Sequence, residues 1–289
     1  MSLAMSSDKF TCPDCGHEND YSEVRCRCTR FLGFPNRRIA EEQAADLDIR
    51  YSSAVTQAAA RGVAPLLIEL ERLAMTSTPV ICLSVEAADD ITRAGKYRNY
   101  HTLVDQGQRD IASRIDDSDR TMVGSRLYPG FFQKIHYAAL SPNGRGLSSY
   151  GDVAISWYVS AEYLEKRVSV HEENSYVFFD RHSLGNLGTP VPAGYVGSWN
   201  DRNKVAVAKL ERKLTTAMGT ASLESLLLDD SMSRAADDFV EIAIYADEGI
   251  DSLDINRVTV QNPPTDRDKQ RRLDLVEGAC ISRGIDYVA

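Results

Sequence analysis

The chain has 289 residues, 43% of them hydrophobic and 26% charged, with a formal net charge of −9. That balance predicts a soluble protein able to bury a sizeable core, and the acidic total weighs against a general electrostatic grip on nucleic acid. No run approaches the roughly twenty apolar residues that cross a bilayer, so no membrane partner is expected.

The opening MSLAMSSDKF lacks the charged-then-apolar layout of a secretory signal, and MSLA reads as an expression leader ahead of a native Met5. The expected location is the cytoplasm, although a secretion system that ignores cleavable signals would leave no mark in the sequence.

Next comes FTCPDCGHENDYSEVRCRCTRF (10–31), which holds four of the six cysteines. In a reducing compartment such clustering suggests a metal more than disulfides. Cys12 and Cys15 are two residues apart, the spacing by which one tight turn presents two sulfurs to one ion, and Gly16 suits that turn. Cys26 and Cys28 have a single residue between them, and His17 is an alternative to one thiolate. Four soft ligands predict a closed, structural Zn2+ site that supplies folding energy to a segment too short for its own core. Arg25, Arg27, Arg30, Arg37 and Arg38 lie around Phe31 and Phe34. They suit nucleic-acid contact, or they offset thiolate charge and solvate the module; the acidic whole favours the second.

Helical spacing covers 38–61 and 64–75, broken by Gly62 and Pro65. PVICLSV (79–85) reads as a short buried strand or an extended connection, and 86–128 as three helical segments separated by Gly95 and the DDSD stretch. After Pro129-Gly130 the texture changes. FFQKIHYAAL (131–140) is strand-like, SPNGRGLSSYG (141–151) a glycine loop, and DVAISWYV (152–159) a strand with period two. RVSV (167–170) precedes a helix at 173–183 and a loop at 184–198. An amphipathic helix is expected at 200–218, strands at 237–246 and 255–260, and a charged helix near 266–283. The predicted class is α+β. A leader plus zinc-ribbon-like module occupies 1–37 and a helical segment 38–128, and a mixed α/β domain with a split antiparallel sheet occupies 129–289.

Alternation in DDFVEIAIYA points Val240, Ile242 and Ile244 toward a core, with Phe239, Glu241, Ala243 and Tyr245 on the other face. A carboxylate there either faces water from an edge strand or is paired or used. His136 shares a strand face with Lys134 and Ala138. Arg145, Ser148, Ser149 and Tyr150 sit among glycines, as a close approach to a phosphate or sugar requires. His171, Glu172 and Glu173 form a further polar cluster, the starting point for a hydrolase reading that would need an open metal position. Asn174 and Ser175 have the chemistry of a helix cap.

Taken together, YAALSPNGRGLSSYGDVAISWYVSAEYLEKRVSVHEENS (137–175) resembles an uncharacterised bacterial family of ADP-ribosyltransferase-like domains, some found in toxins. The residues that carry the resemblance are Tyr137, Ala139, Leu140, Tyr150, Gly151, Arg167, Ser169, Glu173 and Ser175. DDFVEIAIYADEGIDSLDINRVTV (237–260) is similar to the late strand of such domains. No Ser-Thr-Ser occurs, and position 243 is alanine, so Glu241 is not part of a Glu-x-Glu pair.

The resemblance implies an NAD-dependent ADP-ribosyltransferase or NAD glycohydrolase, of a toxin or defence type. It implies Glu241 against the positive charge that builds on the ribose, and His136 as anchor for the adenosine-side ribose or a phosphate. Tyr150 would stack on nicotinamide, and Arg145 or Arg167 would pair with the pyrophosphate. The acceptor is a protein, a nucleic acid or water. The alternative is a non-enzymatic, zinc-dependent module that binds nucleic acid or protein through the arginine-rich segment.

Overall fold

The computed structural model describes residues 9–111, 117–157, 160–186, 188–234 and 236–289. The expected MSLA leader lies outside them, as do the last two residues of the strand expected at 152–159.

A hairpin of β1 (Lys9–Thr11) and β2 (Glu18–Asp20) carries the first cysteine pair on its turn. Helices α1 (Pro35–Glu42), α2 (Ala44–Ala60) and α3 (Ala64–Thr76) follow. Gly62 and Pro65 separate α2 from α3 as expected, and Gln43 stands at the junction of α1 and α2. Gln43 turns its Oε1 away to accept the N–H groups of Gly194 and Tyr195 at 3.0 and 3.2 Å.

Next come β3 (Thr78–Leu83), α4 (Val85–Ala94), β4 (Lys96–Tyr97), α5 (Tyr100–Asp105) and α6 (Asp117–Leu127). Ser84 and Asn99 cap α4 and α5 by accepting the N–H groups of Ala87 and Thr102. Beyond them lie β5 (Ile135–Ser141), β6 (Val153–Trp157), α7 (Ala161–Arg167), β7 (Val168–His171), α8 (Ser175–Arg181) and β8 (Val196–Ser198). The helix expected at 200–218 stops early as α9 (Arg202–Leu210), where Arg61 grips the buried Glu211 carboxylate at 2.5 Å and the Leu214 carbonyl at 2.8 Å. The chain continues through α10 (Ser222–Leu227), β9 (Leu228–Asp229), β10 (Asp238–Phe239), β11 (Glu241–Tyr245) and β12 (Ile250–Asp251). It closes with β13 (Ile255–Val260), α11 (Arg267–Arg283) and β14 (Asp286–Val288).

The main sheet has eight strands in the order β14-β13-β6-β3-β5-β11-β7-β8. Every pairing in it is antiparallel except β13 with β14. The α+β class and the largely antiparallel pairing follow the sequence, and the large sheet joins strands from both sides of residue 129. The short buried strand read at 79–85 is present as β3. The segment 38–128 is more than helical, because its strand β3 lies between β5 and β6 in the middle of the sheet. Val80 and Ile81 are buried there, which suits an apolar run covered on both sides.

Helices cover both faces. Ile242, Ile244, Val168, Val170 and Leu140 pack into a core with residues of α2, α3, α9, α10 and α11. Ala243, Tyr245 and Ile135 face the opposite way, against α1, α6 and α8. The predicted alternation of β11 is therefore real, yet all five of its residues are buried. Each large apolar side chain fully buried in these layers contributes about 1.5–3 kcal/mol. Among the described residues no helix is long and apolar enough to cross a membrane.

Candidate functional site

Among the described residues two places gather chemistry. The first is the cysteine module, where two turns of similar build face each other. In one, Cys12 N–H donates to the His17 carbonyl and Gly16 takes φ 69°. In the other, Cys26 N–H donates to the Arg30 carbonyl, and Thr29 takes φ 69°. The shorter Cys26–Cys28 spacing thus costs a left-handed threonine where the first turn has glycine.

Cys12, Cys15, Cys26 and Cys28 bring their sulfurs within 4.8 Å of one another. Cys12 and Cys28 are 3.8 Å apart, and Cys15 and Cys26 3.5 Å. Four thiolates around one ion at a metal–sulfur distance of about 2.3 Å would stand about 3.8 Å apart, so the set fits a tetrahedral metal. The thiols share protons: the Cys28 backbone N–H helps lower Cys26 to about 7, while burial and the neighbouring thiols push Cys15 up to about 12. His17 is not part of this group; it supplies its carbonyl instead.

Arg37 and Arg38 turn toward the protein, whereas Arg25, Arg27 and Arg30 are exposed. Arg25 lies over the Phe31 ring and donates to the Thr29 carbonyl, Arg30 pairs with Asp14, and Arg37 donates to the Glu165 carbonyl. Arg38 is buried.

The second place is a pocket at the end of β11. Antiparallel register sets Glu241 opposite Ala139 of β5 on one side and His171 of β7 on the other. Glu241 is only 4% exposed and β11 is an interior strand, so of the two readings of this carboxylate the paired or used one stands and the edge strand facing water does not. Ser175, the first residue of α8, donates its hydroxyl and its backbone N–H to Glu241 Oε1. Asn174 caps α8 through the Tyr176 N–H and donates its amide to the Tyr150 hydroxyl at 3.0 Å.

Around this floor Tyr137, Tyr150, Tyr176, Phe132 and Arg120 enclose a cavity of about 100 Å³. That is near the scale that holds one aromatic ring, since apolar cavities of about 150 Å³ take benzene. It is well short of the roughly 300–1,000 Å³ that encloses a whole large ligand. Burial raises the Glu241 carboxyl from 4.5 to about 7, against the opposing donors of Ser175 and the charges of Lys209 and Arg120. Burial and the nearby Glu241 push the Tyr150 hydroxyl up to about 12. A carboxyl poised near neutrality in an aromatic cleft has the character of an acid–base or charge-stabilising group.

The structure brings together only part of the predicted set. Glu241 and Tyr150 share the pocket with Tyr137 and Ser175, two further residues of the resemblance. His136 does not join them. It pairs with Ile244 and so projects from the opposite face of the sheet, where it is fully buried beside the Tyr97 ring and lowered by that burial to about 4. Ser149 points its hydroxyl at Asp237. Arg145 is exposed on the glycine loop, its carbonyl tied to Gln261. Arg167 stacks on Phe34 and Tyr163 and donates to the Tyr245 carbonyl at the far end of β11.

The cluster at 171–173 is also spoken for. His171 bonds the Tyr128 hydroxyl at 2.5 Å, Glu172 pairs with Arg50, and Glu173 pairs with Arg181. Sequence reasoning missed Arg120 altogether, for a single arginine within the stretch DDSDRTMVG offers no local sign that its helix turns it toward a pocket built from β5, β11 and α8.

No protein-family model matches the chain, and no curated protein matches it.

Proposed function

We propose that the Glu241 pocket cleaves the nicotinamide–ribose bond of NAD and passes the ADP-ribosyl group to a protein, a nucleic acid or water. One observation carries the reading: a buried carboxyl, raised to about 7, forms the floor of an aromatic pocket sized for a single ring. In the reaction the C1′–N bond breaks with its electron pair leaving on nicotinamide. The acceptor's oxygen or nitrogen then bonds to C1′ and gives up its proton. Glu241 in its carboxylate form stabilises the positive charge that develops on the ribose. Tyr150 stacks on the nicotinamide ring, and Arg120 pairs with the pyrophosphate outside the cavity. Arg120 takes the role expected of Arg145 or Arg167, and His136 has none.

The ion at the cysteine module is zinc in this reading, held by Cys12, Cys15, Cys26 and Cys28 with no position left open. It supplies cross-links, and no step of the chemistry passes through it. Local partners for Arg25, Arg30 and Arg37, and the burial of Arg38, favour this role over that of a nucleic-acid-binding module. A thiolate metal site of this kind suits a reducing, cytoplasmic setting.

The test is nicotinamide release from NAD by the purified protein, with Glu241→Gln beside it. Release that falls about a hundredfold or more in the variant supports the reading. If NAD is not turned over and leaves the melting temperature of the wild type unmoved, the reading fails.

A further inference from the structure

Helix α1 carries two buried polar side chains, two residues apart, that reach in different directions. Arg38 reaches into the cysteine module. One of its terminal nitrogens donates to the Leu32 and Gly33 carbonyls at 3.0 and 2.7 Å, and the other to the Tyr21 and Glu23 carbonyls. Its guanidinium also lies over the Phe10 and Tyr21 rings, at 4.5 and 5.0 Å from their centroids. Tyr21 and Glu23 precede the second cysteine pair and Leu32 and Gly33 follow it. Arg38 therefore joins the two ends of the loop that carries Cys26 and Cys28.

Asn36 reaches the other way, into the main sheet. It is fully buried, and its amide nitrogen donates to the Arg167 carbonyl at 2.8 Å and the Ala243 carbonyl at 3.0 Å. Those carbonyls belong to the end of α7, where β7 begins, and to β11, the second of them two residues from Glu241. Phe34, just ahead of the helix, packs on Tyr245 of β11 at 5.0 Å between ring centroids.

We propose that the cysteine module is a positioning element for Glu241, acting through Arg38 and Asn36. The inference rests on the reading of the four thiols as a metal site. A short segment with little core of its own holds its shape through the metal cross-link. When that cross-link is lost, the four carbonyls no longer converge on Arg38. A buried guanidinium without acceptors is strongly unfavourable, so α1 shifts to restore its hydration. Asn36 then leaves the β7–β11 ladder, and the strand that presents Glu241 to Ser175 loosens. The strands β6 and β13, across β3 and β5 from this anchor, stay as they were.

The experiment is hydrogen exchange read by mass spectrometry on full-length protein, with metal content measured in parallel, before and after chelation. Chelation is expected to speed exchange in 167–171 and 241–245 by about tenfold while 153–157 and 255–260 keep their protection. Arg38→Met and Asn36→Ala are expected to give the same pattern with the metal retained; should either variant fail to fold, the chelation comparison on wild type decides alone. Wild type purified without bound metal, and unable to take up added zinc, overturns the metal reading and this inference with it. Bound metal whose removal leaves 241–245 protected, or exposes all four strands equally, overturns the inference and leaves the metal reading intact.

Discussion

Ser175 gives both its hydroxyl and its backbone N–H to one oxygen of Glu241. Two donors from one residue favour the carboxylate, while burial favours the neutral acid and prevails. Ser175→Ala removes the hydroxyl and should raise the carboxyl further. The midpoint of the pH profile for nicotinamide release should then move up by about half a unit to one unit, with activity recovering at higher pH. An unmoved midpoint would show that Ser175 does not share the charge.

Stability should carry the mark of the same carboxyl. Glu241 rises from 4.5 to about 7 on folding, so the folded state holds the proton more tightly. Its contribution is full below about pH 4.5 and is lost as pH climbs through about 7. His136 and His171 act in the opposite sense. Burial lowers them from 6.5 to about 4 and about 3, so their contribution is full above pH 6.5 and is lost as pH falls. Comparing wild type with Glu241→Gln isolates the first effect. The variant should gain on the wild type between about pH 5 and pH 8, by a difference on the order of 3 kcal/mol. Urea denaturation across that range checks it, and a difference that does not vary with pH would refute the shift.

His136 serves as a control for the face assignment. His136→Phe keeps the bulk beside Tyr97 and removes two buried ring nitrogens that make no hydrogen bond of good geometry. The expected result is unchanged nicotinamide release, with stability equal to or above that of wild type. A large loss of release at unchanged stability would return His136 to the site.

The two cysteine turns predict opposite responses to glycine exchange. Thr29 holds φ 69° with a β-branched side chain, so Thr29→Gly should stabilise the module by roughly 0.5–1 kcal/mol after the entropy of glycine is counted. Gly16 has the same φ and open space around it, so Gly16→Ala should cost about 1 kcal/mol through backbone strain alone. Chelator competition after loading with added zinc reads both changes.

Cys12→Ser combined with Cys15→Ser should abolish metal binding, since it removes half of the ligands. Elemental analysis of purified protein decides it. Metal retained at the wild-type level would sink the four-thiol assignment.

Much of this architecture could be read residue by residue. Four cysteines within a short span announced their own cluster, and the alternation of Val240 to Tyr245 gave the two faces of β11 correctly. Gly151 shows why one residue of the glycine loop is fixed: a Cβ there would come within 2.1 Å of the Leu83 backbone carbon. Other features depend on partners distant in sequence. Whether Glu241 sits on an edge or in the interior is decided by β5 and β7, which flank it. His136 and Glu241 lie on adjacent strands, and only the register between them shows that they point apart. Arg120 enters the pocket because α6 packs against α8, a contact with no local signature.

Strand β3 makes completion of the sheet a matter of timing during synthesis. Thr78–Leu83 is translated well before either neighbour, Ile135–Ser141 or Val153–Trp157. Until both have left the ribosome, an apolar ribbon with two open edges must wait in a partly folded chain. Closing such distant pairs is slow compared with forming helices α2 and α3, which require only neighbouring residues. A nascent chain halted before Ile135 is therefore expected to expose an unpaired VICL segment, the point at which a chaperone would gain most by binding it.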